Sequence, residues 1–130
     1  MQHSSSDRKI SSAKRKRAEK LGRRAEFFAG LFLRAKFFSI LQKRYKTPIG
    51  EIDIIARRGD LLIFVEIKLR RKKSAIAEAL QAVNRRRIVG AAKHYLAKNP
   101  HLAEKNMRFD VIFLAPFVIP VHLKGAFEAH

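Results

Sequence analysis

Asp53, Glu66 and Lys68 are the residues of this chain whose types and spacing could do chemistry. They lie in two alternating segments, EIDIIARR and LLIFVEIKLR, joined by Gly59-Asp60. The pattern predicts a hairpin, with glycine at the first central position suiting a type II′ turn. A two-residue loop sets Arg58 opposite Leu61, so Asp53 faces Glu66 and Glu51 faces Lys68. Side chains alternate along a strand. One face therefore carries Ile52, Ile54 and Ala56 with Leu61, Ile63, Val65, Ile67 and Leu69, and this is the expected core face. The other carries Glu51, Asp53 and Ile55 with Phe64, Glu66 and Lys68.

Two carboxylates directly across a ladder lie about 4.5–5.5 Å apart at Cβ and repel each other. A shared proton, a cation or water must compensate. Hard oxygen donors on strands suit Mg²⁺, and Lys68, on the same side, could hold or activate a metal-bound water. Together with a basic surface, this is equipment for metal-assisted phosphodiester hydrolysis. The plainer reading is a solvated strand face with a Glu51–Lys68 cross-strand pair. Ile55 and Phe64 point instead to partial cover, where an unneutralised acid pair is harder to bear.

Other elements must hold the hairpin in place. Residues 1–12 are Ser-rich and charged with nothing to bury, and read as a flexible basic tail ahead of a single domain over 13–130. Ala18, Leu21, Ala25, Phe28 and Phe32 form an amphipathic stripe, predicting a helix from Ala13 to about Arg34. Phe27, Phe28, Phe32, Phe37 and Phe38 are expected in the core rather than as platforms for bases. Residues 36–45 read as a first strand, and Thr47-Pro48-Ile49-Gly50 as a turn. Ser74 is a plausible cap for one helix from Ala75 to Lys98, with Ile76, Leu80, Val83, Ile88, Ala91, Ala92 and Tyr95 on its apolar side. Asn99-Pro100 ends it. Residues 107–114 alternate as a strand, and Phe117 to Leu123 supply a last one. The fold class expected is α/β, a mixed central sheet flanked by helices in the order α-β-β-β-α-β(-β).

The 130 residues carry 29 Lys and Arg against 11 Asp and Glu, a net charge of +18. That surplus asks for a polyanionic partner, nucleic acid first. Arg8, Lys9, Lys14, Arg15, Lys16, Arg17, Lys20, Arg23 and Arg24 meet only Asp7 and Glu19 in the first 24 residues, which favours phosphate contact. Arg70, Arg71, Lys72 and Lys73 and then Arg85, Arg86 and Arg87 flank the hairpin site as a backbone clamp. The chain has no cysteine, which excludes disulfides and fits a reducing, cytoplasmic location. The longest apolar stretch, Val111 to Val121, is short of the roughly 20 residues of a membrane span and is broken by Pro116 and Pro120. The histidines are scattered, with no HxxxH or HExxH spacing to make a His-based metal site.

Asp53 followed by Glu66-Ile67-Lys68 resembles the D…(D/E)xK motif of restriction-endonuclease-like nucleases. GEIDIIA (50–56), FVEIK (64–68), Ala91-Ala92…Tyr95-Leu96, RFDV (108–111) and the terminal Ala126-Phe127 are similar to the YraN family. These are small bacterial proteins regarded as predicted endonucleases related to archaeal Holliday-junction resolvases, and the resemblance covers about residues 21 to 128. It implies Asp53 and Glu66 as ligands of Mg²⁺ or Mn²⁺, Lys68 as the catalytic lysine and the Ile67 carbonyl as a further ligand. It also implies Glu26, on the first helix, as an additional catalytic and metal-binding carboxylate. The residues alone leave Glu26 equally readable as a flank glutamate paired with Arg23 or Arg34. Two functions follow: a divalent-metal-dependent endonuclease acting on DNA, branched DNA included, or a non-catalytic nucleic-acid-binding protein that retains the nuclease fold. A two-fold homodimer would suit a junction resolvase.

Overall fold

The computed structural model describes residues 5–71, 75–116 and 119–129, with side chains from Ser12 on except Ala18. Lys72, Lys73, the cap at Ser74 and the expected strand start at Phe117 lie outside the described residues.

Helix α1 spans Ser5–Ala35. It begins upstream of Ala13, so residues 5–12 are helical where an irregular tail is expected. A helix already nucleated by packing downstream extends at one hydrogen bond per ordered residue, and Lys, Arg and Ala favour that extension. The buried face of α1 is Ala25, Ala29 and Leu33, while Leu21, Phe27 and Phe28 are exposed. The expected stripe is thus rotated: small residues let the helix backbone lie close on the sheet, and the bulky rings are turned out. Phe38 is core as expected and Phe32 half-buried, but Phe37 is exposed as well.

The helix ends in a Schellman turn rather than running into a strand at residue 36. The N–H of Phe38 bonds the Leu33 carbonyl at 3.0 Å and that of Phe37 the Arg34 carbonyl at 2.9 Å. Phe37 has a φ of 71°, and Phe38 packs with Leu33 in one core cluster, the apolar contact that accompanies this motif. Strand β1 (Ser39–Lys46) follows, then β2 (Glu51–Arg58) and β3 (Leu61–Leu69).

The β2–β3 hairpin has the expected register, with Arg58 opposite Leu61 and Ile54 opposite Val65. Gly59 has a φ of 59° and Asp60 has no positive φ, the pattern of a type II′ turn. The crossover is two helices, α2 (Ile76–Gln81) and α3 (Arg85–Lys98), not one. Asn84 breaks it: its side chain accepts from the Arg87 N–H at 3.3 Å, capping α3 where a helix interior is expected. A single 3₁₀ turn, Pro100–Leu102, leads to β4 (Asn106–Leu114). The last strand, β5, is Val121–Phe127 rather than 117–123. Pro120 has no N–H to give a ladder, so pairing starts beyond it.

The sheet has five strands in the order β1-β2-β3-β4-β5. Only β3 and β4 run parallel, joined by the α2–α3 crossover. Alternate residues of β3 feed two core clusters. Ile63 and Val65 pack with Ala29 and Leu33 of α1, whereas Leu62 and Phe64 pack with Ala91 and Tyr95 of α3. The helices therefore cover both faces, and the cover expected over Ile55 and Phe64 on the hairpin's second face is supplied by α3.

Candidate active site

Asp53 stands where the β2–β3 ladder opens. Backbone pairing ends at Ile54–Val65, and the Ile67 N–H goes to Asp53 Oδ2 at 2.7 Å instead. On its other side Asp53 is opposed by Arg44, between the pairs Lys43–Ile54 and Tyr45–Ile52, and Arg44 has a φ of 52°. The alternation of β2 breaks here. Ile54 packs on the α1 side, but Ile52 belongs to the α3-side cluster, against the expectation that they share a face.

Glu66 and Lys68 follow on β3 with their side chains largely covered, Lys68 Nζ lying 3.5 Å from Glu66 Oε1. The expected Glu51–Lys68 pair is replaced by this contact within one strand, and Glu51 is exposed. Glu26 reaches the same corner from α1. Arg44, rather than Arg23 or Arg34, is its partner, with Nε 2.7 Å from both carboxylate oxygens. The bulge that shifts β1 between Ile40 and Gln42 sets Arg44 in this position, which sequence spacing does not reveal.

The electrostatics show that these acids share one environment. Burial pushes the Asp53 carboxyl up to about 6; the Ile67 N–H and Lys68 oppose that rise, and the charges of Glu26 and Glu51 add to it. Burial likewise raises Glu66 to about 7, with the Asp53 charge the next contributor and Lys68 opposing it. The two titrate as a pair. Glu51, Glu66 and Lys68 form one side of a cleft of about 220 Å³, and Ala82, Asn84, Arg87 and Ile88, from the break between α2 and α3, form the other. Sequence reasoning missed Arg44 and Asn84 as parts of this corner. It placed Arg87 in the clamp, not in the cleft.

Among the described residues, no three Asp, Glu, His or Cys side chains already converge as a metal-binding group. Each acid is instead engaged by a protein donor: Glu26 by Arg44, Asp53 by the Ile67 N–H, Glu66 by Lys68. The donor set nonetheless fits a hard divalent cation, because two half-buried carboxylates, with the charge of Asp53 raising the pKa of Glu66, are the groups a cation relieves.

The sign of this repulsion gives a prediction for the metal-free protein. Asp53 and Glu66 titrate in the fold well above their ordinary values of 3.8 and 4.5. Between about pH 4 and 7 the folded state therefore holds protons that the unfolded chain has lost, and stability falls as pH rises through that window. Asp53→Asn should stabilise the protein by about 1–2 kcal/mol near pH 8 and by almost nothing near pH 4. Urea denaturation in chelator at both values checks it; a variant less stable than wild type at the higher pH would contradict the repulsion.

Of the residues expected to contact phosphates, Lys14, Arg15, Lys16 and Arg17 are exposed along α1, and Arg85, Arg86 and Arg87 of the clamp are exposed at the start of α3. Arg71 is exposed and Arg70 half-buried, its N–H bonded to the Leu114 carbonyl at 2.9 Å. A second polar cluster lies away from the cleft. Asp110 on β4 is fully buried and is bound by Arg108 Nε and a terminal guanidinium nitrogen at 2.8 Å each, by His122 Nε2 at 2.7 Å and by the Gly125 N–H at 2.9 Å. An acid inside the apolar run RFDVIFL was the available signal for it.

A mixed sheet with one parallel pair, helices on both faces and an Asp…Glu-x-Lys corner on its hairpin is the restriction-endonuclease-like architecture, a nuclease-like fold. The chain belongs to the family described as "Uncharacterised protein family UPF0102", whose profile matches residues 25–114. A UPF0102 protein of Bradyrhizobium diazoefficiens is 44% identical over 121 residues, covering 93% of this chain and 91% of that protein. One from Azorhizobium caulinodans is 50% identical over 107 residues, 82% of each. Another from Parvibaculum lavamentivorans is 45% identical over 111 residues, 85% and 84%. The resemblance to YraN-like proteins is thereby borne out at the level of family and fold.

Proposed function

We propose that this chain is a divalent-metal-dependent endonuclease that hydrolyses phosphodiester bonds in DNA, branched DNA included. The observation that carries the reading is the corner itself: two half-buried carboxylates, Asp53 and Glu66, with Lys68 beside Glu66, at a cleft whose other wall carries Arg87. Asp53, Glu66 and the Ile67 carbonyl would hold Mg²⁺ or Mn²⁺, with Glu26 joining once Arg44 yields it. When bound, such an ion lowers the pKa of a water and offsets charge on the phosphate. The protein's own groups do the rest. The Ile67 N–H fixes the Asp53 carboxylate. Lys68 presents an ammonium to the charge that grows on the phosphoryl oxygens. Arg85, Arg86 and Arg87 bind flanking phosphates. Three cations in the first turn of α3 oppose its dipole, and an anion there would relieve them. Arg71, exposed just past the end of β3, adds a further cation.

The second reading, a nucleic-acid-binding platform without turnover, is favoured by one observation: every acid of the corner already has a protein donor. A panel of duplex, flap, single-stranded and four-way-junction DNA with Mg²⁺ or Mn²⁺ separates the two, with Glu66→Gln beside wild type. The nuclease reading expects metal-dependent cutting by wild type and none by the variant. Binding in chelator should weaken steeply with salt, as counterion release requires. Purified wild type that binds but cuts nothing, and takes up no metal by calorimetry, leaves the platform.

A further inference from the structure

The outer face of α1 carries an aromatic patch inside the most basic part of the molecule. Phe27 and Phe28 are 54% and 58% exposed, and their rings meet edge-to-face with centroids 5.8 Å apart. Leu21 and Leu31 are exposed beside them. At helical spacing Phe27 and Leu31 fall opposite the buried row Ala25, Ala29 and Leu33, Phe28 and Leu21 fall on its flank, and Arg23, Arg24 and Arg34, all exposed, are interleaved with them. The run Lys14 to Arg17, with Lys20, continues the cationic side toward the helix start. Helix formation did not need Phe at these positions, and the sheet contact is made without them.

We infer that this face of α1 binds unpaired nucleotides, Phe27 and Phe28 stacking on bases while the neighbouring arginines hold the phosphates. The inference rests on the nucleic-acid part of the proposed function and deepens it, since it adds a second contact, on α1, apart from the residues that line the cleft. The occupant follows from charge. A second copy of this chain would bring one arginine-lined helix against another in a protein of net charge +18. A polyanion with exposed aromatic faces satisfies both the cations and the rings, and base stacking on aromatic side chains tolerates any sequence. Paired bases inside a duplex offer no free face, so the patch discriminates in favour of single-stranded segments, such as the arms or gaps of a branched substrate.

The test uses the full chain in chelator, so that cleavage does not enter. Binding of a labelled oligothymidylate and of a blunt duplex of equal length is measured for wild type and for Phe27→Ala/Phe28→Ala. Both side chains are exposed, so the fold should survive, and unchanged thermal unfolding confirms it. The expected result is a loss of about ten-fold or more for the oligothymidylate, with duplex binding within about two-fold. The chain has no tryptophan, so Phe28→Trp supplies a unique reporter, whose fluorescence the oligothymidylate should quench and the duplex should not. Equal losses on both DNAs, or unchanged single-strand binding, would overturn the inference while leaving nucleic-acid binding intact. A wild type that binds neither DNA would remove the underlying reading instead. Two further outcomes would assign the face elsewhere and overturn the proposal. One is a dimer that the double variant converts to monomer. The other is a blue shift of the Phe28→Trp indole emission on phosphatidylserine vesicles together with no quenching by oligothymidylate.

Discussion

Lys68→Ala should abolish detectable metal-dependent cleavage while DNA binding stays within about two-fold. The ammonium of Lys68 lies 3.5 Å from Glu66 and is mostly covered by the cleft, where a charge acts with little solvent screening. Removing one such group aimed at a developing oxyanion typically lowers the rate by about 10²–10³. The binding cations, on α1 and at the start of α3, are untouched by the substitution. Lys68→Arg is the informative companion, because a planar guanidinium cannot place a compact charge at the same point, and it should rescue little. Single-turnover cleavage with Mn²⁺, beside filter binding in chelator, checks both parts. Equal cutting by Lys68→Ala and wild type would remove Lys68 from the chemistry.

Asp110→Ala should destabilise the fold by about 3–5 kcal/mol, the largest effect expected of any single substitution away from the cleft. Asp110 answers Arg108 and His122 at once, and Lys36 Nζ lies 2.9 Å from His122 Nδ1 behind them. A lysine ammonium has no acceptor, so His122 accepts at Nδ1 and donates from Nε2 to Asp110. Without the carboxylate, the His122 donor is left unmet in the interior and the half-buried Arg108 guanidinium loses its partner. Burial acts to raise the Asp110 carboxyl, but the bonds from His122, Arg108 and the Gly125 N–H together bring it down to about 2. Its folded value is thus below the ordinary 3.8, so its stabilisation is complete above about pH 4 and is lost as pH falls toward 2. The gap between wild type and variant in urea midpoints should be full at neutral pH and close toward about pH 2. A variant within about 1 kcal/mol of wild type at neutral pH, a threshold well under the expected order of magnitude, would contradict this account.

The candidate site residues were more legible than the packing around them. Asp53, Glu66 and Lys68 sit on a hairpin whose two-residue turn sets the register as far as Ile54–Val65, just short of Asp53 and Glu66. Arg44 was beyond reach, because a bulge in β1 shifts the pairing that brings it to Glu26 and Asp53. The stripe read on α1 holds in part: Ala25 is buried and Phe32 packs on the core, but Leu21 and Phe28 are exposed and the sheet is met by the row Ala25, Ala29, Leu33. Asn84 was hidden, since an asparagine inside an apolar periodicity reads equally as a surface residue or a cap. The parting of Ile52 from Ile54 was invisible too, because alternation holds only while a ladder is continuous.

The packing of the two glycines beside the cleft joins its two sides at one end. A Cβ on Gly50 would fall 2.7 Å from the Arg87 carbonyl carbon, and one on Gly90 would strike Ile49. The start of β2 and the start of α3 are therefore clamped backbone to backbone, with the Thr47 hydroxyl tying the turn at its base. Glu51 stands on one side of the cleft and Arg87 and Ile88 on the other, so this contact ties the two sides together at one end. The arginines at the head of α3 are thereby seated on the turn that leads into β2, and the cleft carries its own spacer.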